Sequence, residues 1–91
     1  MRLIMFRSDD CPACHQMEQF LDEVCAKAKV TLTIADVTKR VDLVIKHQVS
    51  MLPTLVLEDQ GEPVARVARG FTKHRFVKWL EEQGEKAKVR Q

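Results

Sequence analysis

The chain has 91 residues, enough for one hydrophobic core and too few for a separate substrate domain, so its function must sit on that domain's own surface. A formal net charge of +2 with 31% charged residues describes an ordinary soluble protein and lends no support to a nucleic-acid or membrane partner. No apolar stretch approaches the roughly 18 residues of a membrane span, and Met1 to Phe6 is too short for the apolar region of a secretion signal, so the expected location is the cytoplasm.

Arg2 to Arg7 is mostly apolar and reads as a buried strand. Asp10 or Cys11 then stands at a helix N-cap, with Pro12 at the first helical position, where its missing N–H costs nothing. Ala13, Met17, Phe20, Leu21, Val24 and Ala28 recur at helical spacing, opposite Gln16, Gln19, Glu23 and Lys27, which predicts an amphipathic helix of about four turns. In the stretch from Val30 to Val37, Val30, Leu32 and Ile34 alternate with Thr31, Thr33 and Ala35, the pattern of a half-buried strand closing at Asp36. Asp36 or Thr38 caps a second helix over about residues 39–48, with Val41, Val44 and Ile45 inward and His47 in solvent. Thr54 to Glu58 forms a strand, Asp59-Gln60-Gly61-Glu62 a turn, and Pro63 to Ala68 the returning partner of a hairpin. Gly70 breaks that strand, and Thr72 caps a last helix with Phe76, Val77, Trp79 and Leu80 inward and His74 in solvent. Gly84 is expected to weaken or end the helix, dividing a domain of residues 1–84 from a charged tail of residues 85–91. The order β-α-β-α-β-β-α predicts an α/β fold: a right-handed parallel crossover plus a hairpin, giving a four-stranded mixed sheet flanked by helices.

The chemistry concentrates in Cys11-Pro12-Ala13-Cys14-His15. Three cysteines are an odd number, unlike the framework of a disulfide-stapled secreted domain, so Cys11 and Cys14 read as working thiols. Two thiols two residues apart at a helix start can form and break a disulfide with partners. The same residues spell the attachment pattern of c-type haem, which would also need a secretory maturation context and a sequence able to enclose a large apolar cofactor. Zinc would need about four ligands, whereas Cys11, Cys14 and His15 supply three that cannot all point inward from one helical turn. Cys25 lies eleven residues beyond Cys14 on the same helix, about 16 Å away and far outside disulfide reach, and reads as a small, partly buried hydrophobe.

Cys11-Pro12-Ala13-Cys14 between strand and helix, Pro53-Thr54 opening the third strand, and Gly70 before the last helix together resemble the thioredoxin superfamily, over about residues 2 to 83. In size the chain is similar to a glutaredoxin or a trimmed thioredoxin. The resemblance implies a small thiol-disulfide oxidoreductase with Cys11 as exposed nucleophile and Cys14 as resolving thiol. It implies no cofactor beyond a redox-active Cys11–Cys14 disulfide. Pro53 matches the family's cis-proline, so Leu52, Pro53 and Thr54, with Pro12 and Ala13, are the implied substrate-binding residues. The implied partners are disulfide-containing proteins, with a flavin-dependent thioredoxin reductase or glutathione as electron source, for a protein working as a monomer. Similar small members donate electrons to ribonucleotide reductase. A non-catalytic binding module with a redox-gated or metal-gated dithiol is the alternative within the same fold.

Some residues depart from the family pattern. Met5 stands where thioredoxins place a buried acid, and Asp10 where they place a tryptophan. Arg69-Gly70-Phe71-Thr72-Lys73-His74 lacks the acid that follows the glycines of glutaredoxins, leaving Arg7, Lys39 and Arg69 as the basic contacts on offer to glutathione. The carboxylates of Asp9 and Asp10 oppose a Cys11 thiolate, whereas the helix terminus favours it, each by about 1 kcal/mol or less where exposed.

Overall fold

Leu3, Ile4, Met5 and Phe6 have no solvent-exposed surface, because their strand β1 (Arg2–Arg7) lies inside a sheet with a neighbour on either side. The computed structural model describes the backbone of residues 1–90 and the side chains of residues 1–86. Helix α1 (Pro12–Ala28) follows β1, then β2 (Thr31–Asp36), α2 (Val41–His47), β3 (Thr54–Asp59), β4 (Glu62–Val67) and α3 (Lys73–Arg90). The strands lie in the order β2-β1-β3-β4. β1 runs parallel to β2, with Met5 opposite Ile34, and antiparallel to β3, with Phe6 opposite Thr54. This is the predicted mixed sheet and element order.

Side chains alternate across a strand, so β1 and β3 feed two cores. Leu3, Met5, Leu55 and Leu57 join Cys14, Met17 and Leu21 of α1 and Phe76 and Leu80 of α3. On the other face Ile4, Phe6, Ala35 and Val56 pack with Leu43 of α2. α1 stops at Lys29, which turns into the left-handed region at φ 59° and donates its N–H to Cys25 and Ala26 carbonyls. The hairpin turns on Gln60 and Gly61, both at positive φ, the combination a two-residue loop between twisted strands requires.

Five expectations are corrected. α2 begins at Val41 rather than near Lys39, because the Asp36 carboxylate accepts from the N–H and hydroxyl of Thr38 at 2.9 and 2.6 Å and holds that stretch as a turn. The helix also sits in a different rotation: Leu43 and His47 face the sheet, while Val41 and Ile45 are exposed. His47 is therefore buried, against Phe6 and Glu58, and not solvated. On the edge strand β2, Ile34 is exposed and Ala35 buried, since only the α2 face is closed over at that position. Finally, α3 runs through Gly84 to Arg90; open space around Gly84 and continuous backbone bonding outweigh its propensity cost of about 1 kcal/mol.

Candidate active site

Cys11 is the last extended residue before α1, at φ −112° and ψ 97°. Its sulfur accepts the N–H of Cys14 at 3.1 Å, filling the N-cap role that a hydroxyl or carboxylate usually holds. Pro12 in the first turn lacks an N–H and so leaves no donor unsatisfied there. This local geometry brings the two cysteines together: they are joined as a disulfide, with Cα atoms 5.2 Å apart, inside the range the bond requires. Their surroundings differ. Cys11 keeps 9% of its surface accessible and Cys14 none. Cys14 Sγ lies 4.0 Å from the Phe6 carbonyl, which gives the reduced thiol a weak backbone acceptor.

The floor of the site is apolar. Met5, Met17 and Leu55 lie in the same core as Cys14, and all are fully buried. Among the described residues the only buried carboxylate is Glu58, which faces α2 across the sheet and meets Arg2 and His47 there. Among the described residues no buried acid stands on the dithiol side to take a proton from Cys14.

Because β3 is antiparallel to β1, its start lies beside the end of β1, so Leu52, Pro53 and Thr54 arrive at the same end of the sheet as the dithiol. The Leu52–Pro53 peptide is cis, the isomer the family resemblance implied. Thr54 Oγ1 donates to the Met51 carbonyl at 2.5 Å, closing the turn. Pro53 and Thr54 are buried, Leu52 is half-buried and Met51 is exposed. Thr54 therefore shows no side chain to a partner, whereas the Leu52 backbone, without a hydrogen bond among the described residues, is free to pair. On the third side a Cβ on Gly70 would stand 3.3 Å from the Ala13 Cβ, so the lack of a side chain lets the Arg69–Phe71 loop rest against the Cys-Pro-Ala-Cys turn.

Arg7 holds the rim in a way no sequence pattern signalled. Its guanidinium donates to Glu18 of α1 at 2.6 Å, to Asp9 at 2.7 Å and to Asp36 of β2 at 3.2 Å. The bond to Asp9, then that to Glu18, hold it protonated well above its ordinary value. These acids occupy Arg7, so it is not the free basic contact expected for glutathione. The spacings of 2, 11 and 29 residues along the chain explain why the hub was invisible before folding. His15 Nε2 stands 2.9 Å from the Asp9 carbonyl and Nδ1 3.5 Å from the Glu18 carboxylate, which fastens the ring to the same network. Cys25 is buried on α1, and desolvation, with a smaller push from Asp22, raises its thiol to about 11. Among the described residues no group of three or more His, Cys, Asp and Glu side chains is placed to hold a metal ion.

Residues 1–82 match the family model described as Thioredoxin. No curated protein sequence matches the chain significantly. Among solved structures, thioredoxin 1 from the thermophilic eubacterium Thermosipho africanus superposes with a TM-score of 0.83 at 20% identity, covering 97% of this chain and 99% of that one. A mutant thioredoxin from Halobacterium salinarum reaches 0.82 at 24% identity, covering 90% and 73%. The Drosophila germline thioredoxin Deadhead reaches 0.79 at 24%, covering 89% and 78%. These likenesses speak for the fold, and the family model, matched over nearly the whole length, speaks for descent. A Cys11–Cys14 disulfide at the head of α1, a cis-proline turn beside it and this match together place the chain in the thioredoxin family of thiol-disulfide oxidoreductases.

Proposed function

We propose that this protein reduces disulfides of partner proteins, with Cys11 as nucleophile and Cys14 as resolving thiol. The observation that carries this division is the inequality of the two sulfurs: Cys11 caps the open end of α1 and retains accessible surface, while Cys14 has none. At the helix end, unpaired N–H groups and the positive end of the dipole favour a thiolate on Cys11. That thiolate attacks one sulfur of the substrate disulfide; the S–S bond breaks, the first substrate thiolate leaves and takes a proton, and a Cys11–substrate mixed disulfide remains. Cys14 then gives up its proton and attacks Cys11 Sγ, forming the Cys11–Cys14 disulfide and expelling the second substrate thiolate. With the apolar floor of Met5 and Leu55 beneath it, Cys14 hands its proton to the second substrate sulfur as the bond between that sulfur and Cys11 breaks. Two electrons and two protons pass from dithiol to substrate.

In this reading the enzyme acts as a monomer in the reducing cytoplasm, and a flavin-dependent thioredoxin reductase or glutathione returns it to the dithiol. The odd cysteine count supports the compartment, with Cys25 buried as a free thiol. Leu52 and Pro53 with Pro12 and Ala13 form the substrate side of the site, with Thr54 buried behind them to hold the turn and the Leu52 backbone pairing with an extended substrate segment. Insulin disulfide reduction with dithiothreitol as electron source tests the reading. Cys11→Ser abolishes turnover, and Cys14→Ser accumulates a covalent substrate adduct on Cys11. Full turnover by Cys11→Ser, or a substrate adduct that accumulates on Cys14 in Cys11→Ser and not on Cys11 in Cys14→Ser, would overturn it. Re-reduction assays with the flavin reductase and with glutathione decide the electron source.

A further inference from the structure

We propose that the cleft between the Arg69–Phe71 loop and the outer face of α3 docks an acidic segment of the disulfide-bearing protein substrate. The proposal rests on the disulfide-reductase reading and names its preferred substrate class. The cleft has a volume of about 370 Å³ and an aromatic floor, Phe71 and Trp79, with ring centroids 5.9 Å apart. Arg69 lies over Phe71 with its guanidinium carbon 4.9 Å from the ring centroid. Arg75, Lys78 and His74 complete the rim, and Glu82 is the single acid in it.

These cations are unspent. Among the described residues no carboxylate lies within ion-pair distance of Arg69, Arg75 or Lys78, whereas Lys73 on the same helix is taken by Glu23 at 3.0 Å. Three cations against one carboxylate is an excess equal to the formal +2 of the whole chain, gathered in one concave patch. The patch also adjoins the dithiol, because Gly70 between Arg69 and Phe71 packs on Ala13 of the Cys-Pro-Ala-Cys turn.

The opposite rim carries the opposite sign. Sheet order puts β4, which leads into Arg69, at one edge and β2 at the other; Asp9 is tied through Arg7 to Asp36 at the end of β2, and Asp10 is exposed beside it. A substrate chain lying across Cys11 thus meets acids toward the β2 edge and a cationic, aromatic cleft toward α3. That polarity selects a segment with carboxylates on one side of its disulfide and fixes which way it lies.

The test uses three disulfide-bridged peptides, alike except for an acidic, neutral or basic segment flanking the bridge, reduced by the full-length protein with dithiothreitol as electron source. At low ionic strength kcat/KM for the acidic peptide exceeds that for the neutral one by about tenfold, and the basic peptide falls below both. In about 1 M salt, where the screening length is about 3 Å, the three converge. The double variant Arg75→Glu/Lys78→Glu, at exposed helix positions, inverts the order of acidic and basic peptides, and Arg75→Gln/Lys78→Gln erases it. Helical circular dichroism and the neutral-peptide rate report whether the variants are folded. Equal kcat/KM for acidic and neutral peptides in the wild type, or a preference that survives charge reversal, would overturn the proposal. No turnover of any of the three would instead sink the disulfide-reductase reading, and this proposal with it.

Discussion

Acidification should unload stability through His47. Its Nε2 lies 3.6 Å from Glu58 Oε2 in the α2 face of the core, with the ring set edge-on against Phe6 at a centroid distance of 5.8 Å. Glu58, 4% exposed, is held from the other side by Arg2 through bonds of 2.8 and 3.1 Å. Burial disfavours the imidazolium more than the Glu58 carboxylate favours it, and Lys46, Arg66 and Arg2 add repulsion, so His47 titrates below its ordinary 6.5 in the folded protein. The unfolded chain therefore binds more protons between about pH 6.5 and that lower value. Stability rises with pH across the window: it is complete above about 6.5 and is lost progressively as the pH falls toward the folded value. One proton sets the slope at no more than about 1.4 kcal/mol per pH unit. Urea unfolding read by the fluorescence of Trp79, the only tryptophan, measures it in wild type and His47→Gln at several pH values between about 7.5 and 5. The wild type loses stability across this range and His47→Gln loses less, by up to the slope of one proton. Glu58→Gln loses more, because the attraction that partly offsets burial is gone. Identical slopes in wild type and His47→Gln would refute the reasoning.

Phe76 is fully buried and stacks near Trp79 at 6.2 Å between centroids, so Phe76→Ala should cost about 3–5 kcal/mol by urea unfolding and shift the Trp79 emission of the native state. Arg7→Met frees the Asp9 carboxylate next to Cys11 and breaks the ties to Glu18 and Asp36. The reduced variant should react with iodoacetamide at Cys11 severalfold more slowly near neutral pH, and salt should narrow the gap. Cys25, buried and with its thiol pushed up to about 11, should escape alkylation in the native reduced protein and be labelled only after denaturation, which mass spectrometry of the digested chain resolves.

What the sequence determined by itself is what arises from neighbours along the chain. Cys11-Pro12-Ala13-Cys14 at the head of an apolar run at helical spacing specified a dithiol at a helix start, with Asp10 or Cys11 as the cap, since capping and helical periodicity act within one or two turns; the structure puts Cys11 there. Gln60-Gly61 between strands specified the hairpin for the same reason. The tertiary structure decided whatever depends on groups far apart in the chain. Val41, Val44 and Ile45 are as apolar as any core stripe, yet α2 turned Leu43 and His47 inward, because Phe6 and Glu58, brought over by β1 and β3, complement those side chains. Arg7 became the hub of the rim only when α1 and β2 delivered Glu18 and Asp36 to it. Arg69 read as one of three basic contacts for glutathione, and Arg75 and Lys78 as scattered helix charges; the α3 cleft gathers the three, and the approach of Gly70 to Ala13 brings the loop of Arg69 against the Cys-Pro-Ala-Cys turn. Local geometry thus placed the reactive sulfurs, whereas the electrostatics around them follow from contacts that exist only once the sheet has assembled.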